Sequence, residues 1–421
     1  MARTARPTNP GMSRTFARVR PALYCRDMSA RTPVVVIAPD SFKGSAPAAD
    51  AADAIARGVL ASRPDAEVVR IPMADGGEGT LDAVLASWGA LASVQSVATV
   101  DALDRPRRGR IGFSPDGERC LIEAAEANGL PHVRDIPAEP LRADSFGVGL
   151  LAHAALDAGA REVLLCVGGS ASSDGGTGLL RALGARLLDA EGRETARGAR
   201  GLTSLHSVDT SGLHPSAPTT RWRVAVDVDN PLVGPRGAAA VFGPQKGATP
   251  DDIALIDDGL TRLARNIADL RHTDPAHLLD APGFGAAGGL PLALAALGDV
   301  ELVAGSRLVS DAVGLAAALE RADLVITGEG RFDEQSLGGK VVDAVRRLTP
   351  PHVPVIVIAG SVELDADRCR REGITAAFSL SSGPSSLDEM LPQTLPRLAE
   401  VAAHLCRVAI PAREHRPIPP R

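Results

Sequence analysis

The chain has 421 residues, of which 45% are apolar and 23% are charged, and its formal net charge is −6. This length and composition suffice for two or three domains with sizeable buried cores. The acidic balance argues against a nucleic-acid-binding protein, which is basic overall or carries a basic stripe, and the lack of about 18 consecutive uncharged apolar residues argues against a membrane span.

The five cysteines are scattered along the chain and odd in number, and none has CxxC spacing. This pattern predicts reduced thiols in a cytoplasmic protein, without a disulfide or a zinc site. The cysteines stand at positions 25, 120, 166, 369 and 406.

Both ends of the chain have the composition of disordered tails. Residues 1–31 carry seven arginines and one acidic residue and lack the apolar core of a signal peptide. An arginine-rich transit peptide is the less favoured alternative. Residues 407–421, which include "PAREHRPIPPR", are predicted to form a second disordered tail.

Between the tails one unit recurs: a short β-branched run, a loop rich in glycine and aspartate, and a helical stretch rich in alanine and leucine. Runs of β-branched residues without alternation are typical of strands covered on both faces. Strands that alternate with helices predict an α/β fold with largely parallel sheets, whose ligands bind at the carboxyl ends of the strands. The predicted strands cover 34–38, 67–72, 162–167, 323–328, 353–360 and 374–380.

The loop after the first strand, "PDSFKGS", holds Asp40, Ser41 and Lys43. A lysine at a strand end is a natural partner for a phosphate or a carboxylate. The loop after the second strand, "MADGGEGT", holds Asp75 and Glu78, whose carboxylates are ligands that Mg²⁺ prefers. The alternative for both loops is an ordinary turn followed by a capped helix.

The loop "GGSASSDGGTG" at 168–178 is the richest in glycine and hydroxyl side chains. Its glycines allow positive φ angles, and successive backbone N–H groups before a helix form an anion site. The alternative is a tight turn in which Asp174 caps the helix.

The segment "VAVDVDNPLVGPRGAAAVFGPQKG" at 224–247 places Asp227 and Asp229 two residues apart, so in a continuing strand both project to one face. Further along, Gln245 and Lys246 add polar groups. Acidic groups near basic ones suit a metal-bound polyanion. A surface cluster of ion pairs is the alternative.

The segment "ITGEGRFDEQSLGGK" at 326–340 places Glu329, Arg331, Asp333 and Gln335 after another buried strand. A capped, charged loop is the alternative here. The segment "GFGAAGG" at 283–289 contains GxGxxG, but no strand precedes it, so a glycine-rich helix entry is favoured over a dinucleotide site. The residues alone therefore indicate an α/β enzyme that handles ATP or phosphate.

Taken in order, these loops resemble one family. The ordered set "APDSFKGS", "PMADGGEGT", "IEAAEANGL", "GGSASSDGGTG", "DVDNPL" with "FGPQKGA", "GAAGGL" and "TGEGRFDEQSLGGK" closely resembles the bacterial-type (type I) glycerate kinase family. The resemblance runs from about residue 33 to 406. It implies transfer of phosphate from ATP, with Mg²⁺, to D-glycerate, giving 2- or 3-phosphoglycerate.

The resemblance also implies two α/β domains with the active site in the cleft between them. The first is a flavodoxin-like or Rossmann-like three-layer sandwich of residues 32–76 and 284–406, and the second is an inserted α/β domain of residues 77–283. A homodimer is left open. The sequence departs from the family pattern at Asp144, Phe146 and Leu150, where threonine, tyrosine and glutamate are expected.

For this mechanism we predict three groups of site residues. The catalytic group is Asp227, Asp174, Asp333, Lys43, Lys246 and Arg331. Asp227 is the first choice either for accepting the hydroxyl proton or for holding Mg²⁺, and Asp174, Asp229 and Asp333 are the alternatives for these roles. The substrate- and nucleotide-binding group is Asp40, Ser41, Gly76, Gly77, Glu78, Gly168, Gly169, Ser170, Gly175, Gly176, Asn230, Gln245, Gly288, Gly289, Glu329 and Gln335. The metal group is Asp75 and Asp229, for Mg²⁺.

Three alternatives stay open at this point. One is a kinase of another small hydroxy acid or sugar acid. Another is a nicotinamide-dependent oxidoreductase that uses "GFGAAG", and the third is a non-catalytic sensor of glycerate or nucleotide.

Overall fold

The computed structural model describes residues 32–410. Its strands are β1 (Val34–Pro39), β2 (Glu67–Arg70), β3 (Ser93–Val100), β4 (Pro106–Phe113), β5 (Arg119–Glu123), β6 (Glu162–Cys166), β7 (Arg186–Leu188), β8 (Ser207–Asp209), β9 (Arg221–Ala225), β10 (Val300–Val303), β11 (Leu324–Phe332), β12 (Val355–Val362) and β13 (Ala376–Ser379).

The α-helices are α1 (Ala48–Ser62), α2 (Thr80–Trp88), α3 (Ala125–Asn128), α4 (Phe146–Asp157), α5 (Thr177–Ala182), α6 (Ala199–Leu202), α7 (Ala238–Phe242), α8 (Pro250–Arg271), α9 (Ala276–Leu279), α10 (Pro291–Ala295), α11 (Gly305–Val313), α12 (Leu315–Leu319), α13 (Val341–Leu348), α14 (Ala366–Arg371), α15 (Leu387–Met390) and α16 (Thr394–Ala409). Short 3₁₀ turns cover Gly89–Leu91, Leu130–Val133, Pro244–Lys246, Ala286–Gly289, Glu334–Leu337 and Leu391–Gln393.

The first sheet is built from both ends of the described chain, in the order β13-β12-β11-β1-β2, and its paired strands are parallel. Every residue of β1 is buried, because helices cover both faces of the sheet. Val35 and Ile37 pack with α1 and α16, and Val36 and Ala38 pack with α11, α12 and α13. The predicted α/β fold with a largely parallel sheet is therefore confirmed.

The second sheet comes from the middle of the chain, in the order β10-β9-β6-β5-β4-β3. The strands from β10 to β5 are parallel, and β4 and β3 continue antiparallel. A separate two-stranded antiparallel sheet is formed by β7 and β8. One core cluster joins the two sheets, because Val36 of β1 belongs to the same cluster as Leu164 of β6 and Ala225 of β9.

The structure departs from the predicted segments at two places, strand β10 and the end of helix α16. Strand β10 pairs with β9, so Val300–Val303 lies in the second sheet and not with 284–406 as predicted. The sequence of β10 is short and only partly buried, so nothing local marks its partner. Helix α16 continues to Ala409, past the predicted limit of 406, and Cys406 is buried in its core face. The predicted tail of 1–31 and residues 411–421 of the other tail lie outside the described residues.

Candidate active site

A cavity of about 410 Å³ lies where the carboxyl ends of strands from the two sheets face each other. Segments that follow β1, β2, β6 and β9 supply most of its wall. It is lined by Lys43, Asp75, Gly76, Gly77, Leu130, Val167, Gly168, Gly169, Ser170, Ala225, Val226, Asp227, Val228, Phe242, Gln245, Lys246, Ala286 and Ala287.

The loop after β1 forms a tight turn that presents Lys43. The backbone N–H of Phe42 donates to the carbonyl of Ala46, and the N–H of Ser45 donates back to the carbonyl of Phe42. The Lys43 side chain at the tip is 79% exposed, and its Nζ lies 3.9 Å from a carboxylate oxygen of Asp75. This weak ion pair leaves the Lys43 ammonium available to an anion in the cavity.

The segment after β2 is fixed against the second sheet by close backbone packing. A Cβ at Gly305 would lie 1.9 Å from the carbonyl oxygen of Asp75, and a Cβ at Gly76 would lie 2.8 Å from the Cβ of Ala225. The N–H of Gly305 donates to Oδ1 of Asp227 at 2.8 Å. Asp75 and Asp227 are thus held on the same wall by one junction, as the strand-end argument predicts.

Four carboxylates gather at this junction. Burial, and then the charge of Asp75, raises the pKa of Asp40 to about 7. Burial also raises the pKa of Asp227 and of Glu329, and Asp75 contributes to both shifts. Asp40, Asp227 and Glu329 therefore all interact electrostatically with Asp75, and the ionised form of each carboxyl group is destabilised.

Two further lysines belong to this region, Lys246 in the cavity wall and Lys340 beside the acids. Lys246 is buried, and its Nζ donates to Oγ of Ser170 at 3.1 Å and to the carbonyl of Ser172. Burial lowers the pKa of Lys246 to about 8. Lys340, at the start of α13, lowers the pKa values of both Asp227 and Glu329 by its charge. Lys340 is absent from the predicted site, although it ends the "SLGGK" segment.

The loop 168–178 divides into two parts. Gly168, Gly169 and Ser170, which are among the predicted binding residues, line the cavity. Asp174 is fully buried behind them and accepts hydrogen bonds from the N–H groups of Ser145 and Gly178 at 3.0 and 2.9 Å. The structure thus gives Asp174 a structural position at the start of α5, and the predicted catalytic role has no geometric support.

The glycines of the two predicted cradles interlock with each other behind the cavity. The N–H of Gly175 donates to the carbonyl of Gly288, and a Cβ at Gly288 would lie 2.2 Å from the carbonyl oxygen of Ser172. Gly176 and Gly289 pack in the same layer against Ala293 and Leu232. These four glycines permit close backbone contact instead of lining the cavity. The "GFGAAG" segment follows α9 and not a strand.

Several predicted residues point away from the cavity into other contacts. Asp229 has a side chain that is 80% exposed and pairs with Arg236 at 3.0 Å. Arg331 pairs with Glu363 at 2.8 Å, and Asp333 caps the turn Glu334–Leu337. Three further predicted residues lie outside the cavity wall: Glu78 and Gln335 are exposed, and the side chain of Asn230 donates to the carbonyl of Arg236.

Apolar wall residues were not predicted. Leu130, Phe242, Val228 and Ala287 line the cavity next to its polar groups. Leu130 follows the "IEAAEAN" segment. Ala287 has a φ of 50°, which is uncommon for a residue with a side chain, and the glycines around it are the only sequence signal for this conformation. Apolar walls exclude water and strengthen the electrostatic contacts of the polar groups beside them.

The departures from the family pattern form a unit of their own. Asp144 is buried and pairs with Arg197, whose guanidinium lies 4.3 Å from the centre of the Phe146 ring. Neither Asp144 nor Phe146 lines the cavity. Their substitution therefore changes the packing at the start of α4 and not the cavity wall.

The junction acids suit Mg²⁺ better than the predicted pair of Asp75 and Asp229. Oε1 of Glu329 is buried without a hydrogen-bond partner, so this oxygen lacks the donor or cation that a buried carboxylate needs. Mg²⁺ usually binds one or two carboxylates, several waters and substrate phosphates. Asp75, Asp40 and Glu329 fit that donor set, whereas Asp229 faces solvent.

The fold and this cavity define an α/β enzyme in which acids and lysines converge between two sheets. The glycerate kinase family model matches residues 35–410. The chain is 42% identical over 356 residues to the glycerate 2-kinase of Escherichia coli strain K12, covering 84% of this chain and 92% of that protein. It is also 42% identical over 358 residues to the glycerate kinase of Bacillus subtilis strain 168, with 84% and 92% covered.

Among solved structures, the crystal structure described as glycerate kinase 2 from Salmonella typhimurium LT2 superposes with a TM-score of 0.81 at 41% identity. The match covers 89% of this chain and 97% of that one. The chain therefore belongs to the glycerate kinase family, and the resemblance seen in its loops is confirmed. In the part of the chain that the structure describes, no helix is long and apolar enough to cross a membrane.

Proposed function

We propose that this enzyme transfers the γ-phosphoryl group of ATP to a hydroxyl of D-glycerate in the 410 Å³ cavity. The observation that carries the proposal is that Asp227 shares the wall of this cavity with Lys43, Lys246 and two pairs of glycines. The family membership and the names of the relatives support the same substrate. The name of the Escherichia coli relative specifies the 2-position, and we propose 2-phosphoglycerate as the product.

Asp227 is the group that accepts the proton of the attacking hydroxyl. Its Oδ1 is held by the N–H of Gly305 at 2.8 Å, which leaves Oδ2 to receive the proton. Burial raises the pKa of Asp227, and a carboxylate with a raised pKa is a stronger base. This residue therefore combines a fixed orientation with increased basicity.

The lysines and backbone donors bind the charge that the two substrates bring. Phosphoryl transfer needs mainly positioning and charge neutralisation, since the transferring group spreads its charge over three oxygens. Lys43 is exposed at the mouth for the phosphates, and Lys246 is buried in the wall for an anion deeper in the cavity. The N–H groups around Gly168 and Gly169 add neutral donors.

Mg²⁺ would be held by Asp75, Asp40 and Glu329, and when bound it would neutralise phosphate oxygens. Asp227 is not assigned to the metal, because its Oδ1 already accepts a hydrogen bond from the N–H of Gly305. An expectation follows for the unliganded protein: the carboxyl of Asp40, with its pKa of about 7, carries a proton in much of the population at neutral pH.

Phosphorus NMR of the purified protein with MgATP and D-glycerate tests the proposal. We expect a new phosphomonoester signal that requires glycerate and is split into a doublet by the single proton on C2. A triplet from a CH₂ group would instead show 3-phosphoglycerate. No new signal from folded protein would overturn glycerate as substrate, and a panel of other hydroxy acids and sugar acids would follow.

The same sample separates the two remaining alternatives. ATP binding without turnover of any acid would indicate a sensor. Binding of NAD(P) without consumption of ATP would indicate an oxidoreductase, although the "GFGAAG" segment follows a helix, and Gly288 packs against Ser172.

A further inference from the structure

A second cavity, of about 500 Å³, lies beside the first at the carboxyl ends of β1, β11, β12 and β13. In the strand order β13-β12-β11-β1-β2, β2 lies on one side of β1, and the later strands β11 to β13 lie on the other side. The point between β11 and β1 is therefore a topological switch point, where open α/β sheets bind ligands. Its floor is formed by Phe42, Gly330 and Gly360, and its far wall by residues 379–397. The proposed reaction does not use this cavity.

The floor of the second cavity contains two glycines of neighbouring strands, Gly330 of β11 and Gly360 of β12, so no side chain rises from the backbone at these positions. A Cβ at Gly360 would lie 2.5 Å from the carbonyl oxygen of Gly330, so the two backbones are in close contact. The ring of Phe42 is buried beside them and packs over Gly328. The base of the cavity is therefore formed by the backbone at two glycines and by the Phe42 ring.

The walls combine apolar groups with hydroxyl groups. Val362, Leu380 and Leu391 contribute apolar surface, and Ser382 and Ser385 contribute hydroxyls. A site with apolar walls and a few polar groups, at a volume of about 300 to 1,000 Å³, is typical for a small organic ligand. A purine with its ribose has this mixture of a flat apolar face and hydroxyl groups.

The two cavities meet at Lys43, which lines both of them. Two acids are close in sequence to residues that line the second cavity. Asp40 follows β1 and precedes Phe42 by two residues, and Glu329 lies in β11 directly before Gly330. A triphosphate that crosses from one cavity to the other would therefore pass both the Lys43 ammonium and the proposed Mg²⁺ ligands.

A third cavity, of about 300 Å³, also adjoins the first through Leu130, Gln245 and Lys246. It is less suited to the nucleoside. Lys246, which lines both cavities, is buried and already donates hydrogen bonds to Ser170 and Ser172. Its ammonium group is therefore less available to a triphosphate than that of Lys43. The acids of the first sheet do not line that side.

We propose that the second cavity binds the nucleoside of ATP, with the triphosphate passing Lys43 towards Asp227. The inference rests on the proposed function, since it assigns the place of one of its two substrates.

The variant Ser382→Trp tests this inference by filling the second cavity from an exposed loop position. We expect binding of the magnesium complex of AMP-PNP, measured by calorimetry, to weaken by about 10-fold or more, whereas KM for D-glycerate stays within about 2-fold. The matched control is Arg134→Trp, which fills the third cavity from an equally exposed position and is expected to leave nucleotide affinity unchanged.

Unchanged AMP-PNP affinity in folded Ser382→Trp, or a loss confined to Arg134→Trp, would overturn the assignment. Photolabelling of the wild-type protein with 8-azido-ATP gives a check that needs no variant. Label on the peptide that contains 379–397 supports the inference, and label on residues 130–143 contradicts it.

The failure of this inference is distinguishable from failure of the proposed function. A wild-type enzyme that phosphorylates glycerate while Ser382→Trp keeps its nucleotide affinity overturns the nucleoside site alone. A wild-type protein that binds AMP-PNP, loses it in Ser382→Trp and phosphorylates no glycerate overturns the glycerate reaction alone.

Discussion

The two halves of the loop 168–178 have nearly the same composition and opposite positions. Gly168, Gly169 and Ser170 line the cavity, whereas Asp174 and Gly176 are buried behind it. At Gly169 a Cβ would meet no atom within 4 Å, but at Gly176 it would lie 2.5 Å from the Cβ of Ala293. The first half is therefore open towards a ligand, and the second half joins α5 to its neighbours.

This difference teaches that glycine and aspartate serve two purposes in one motif. A glycine leaves room for a substrate at one position and for another backbone at the next. An aspartate offers its oxygens either to a reacting proton or to the protein's own N–H groups. Substitutions on the two sides should therefore separate activity from stability.

The largest effect is expected at Asp227. Replacing it by asparagine removes the proposed proton acceptor while keeping a side chain of the same shape near Gly305. A general base contributes about 10² to 10⁴-fold, so kcat of Asp227→Asn should fall by about that factor with little change in thermal stability. Steady-state kinetics and a melting curve measure both quantities, and a fully active, folded Asp227→Asn would remove the base assignment.

Asp174 should show the reverse behaviour. In Asp174→Ala the N–H groups of Ser145, Gly176 and Gly178 lose their buried acceptor. Buried donors without acceptors cost about 1 to 3 kcal/mol each, but part of this is recovered by relaxation, so we expect a loss of about 2 to 4 kcal/mol in the free energy of unfolding. Denaturant titration measures the loss.

The activity of the remaining folded Asp174→Ala decides between structure and chemistry. With a structural role, kcat per folded molecule stays within a few-fold of wild type at low temperature. A drop in kcat as large as that of Asp227→Asn, in protein of normal stability, would return Asp174 to the catalytic group.

The features that the sequence pattern predicts well are local. Runs such as "VVVIA" identify buried strands, and glycine-rich loops after them mark the carboxyl edge where the cavity lies. Both depend on neighbours within a few residues, which the sequence displays directly.

The features that the sequence pattern does not display depend on distant partners. Arg331 pairs with Glu363, which directly follows β12, and β10 joins a sheet whose other strands begin 79 or more residues earlier. Lys340 enters the electrostatics of Asp227 only because α13 packs next to α11. No local spacing encodes these partners, so a charged residue after a buried strand is a candidate and not yet a site residue.

The pH dependence of activity tests whether Lys246, on the cavity side, binds a substrate. Because burial lowers its pKa from 10.5 to about 8, the ammonium loses its proton as the pH rises through 8. If Lys246 binds a substrate anion, kcat/KM should decline above pH 8. In Lys246→Met we expect a value lower by about 10-fold at pH 7 and no decline of this origin, since the titrating group is gone.

Stability gives an independent readout of the same lysine. Between pH 8 and 10.5 the unfolded chain binds more protons at Lys246 than the folded protein does, so wild-type stability gains with rising pH relative to Lys246→Met. An alkaline decline in kcat/KM that persists unchanged in Lys246→Met would assign it to another group.

The smallest effect is expected at Asp229, which serves as the matched control for Asp227. The two aspartates are two residues apart, but the side chain of Asp229 is 80% exposed and pairs with Arg236, itself 67% exposed. Exposed ion pairs contribute about 0 to 1 kcal/mol, so Asp229→Asn should keep kcat and both KM values within about 2-fold and change stability little. A 10-fold rise in the Mg²⁺ requirement of this variant would show that the loop turns inward when substrates bind, and would restore the metal role predicted from the sequence. A normal Mg²⁺ requirement, with a raised one in Asp75→Asn, would place the metal on the Asp75 side of the junction.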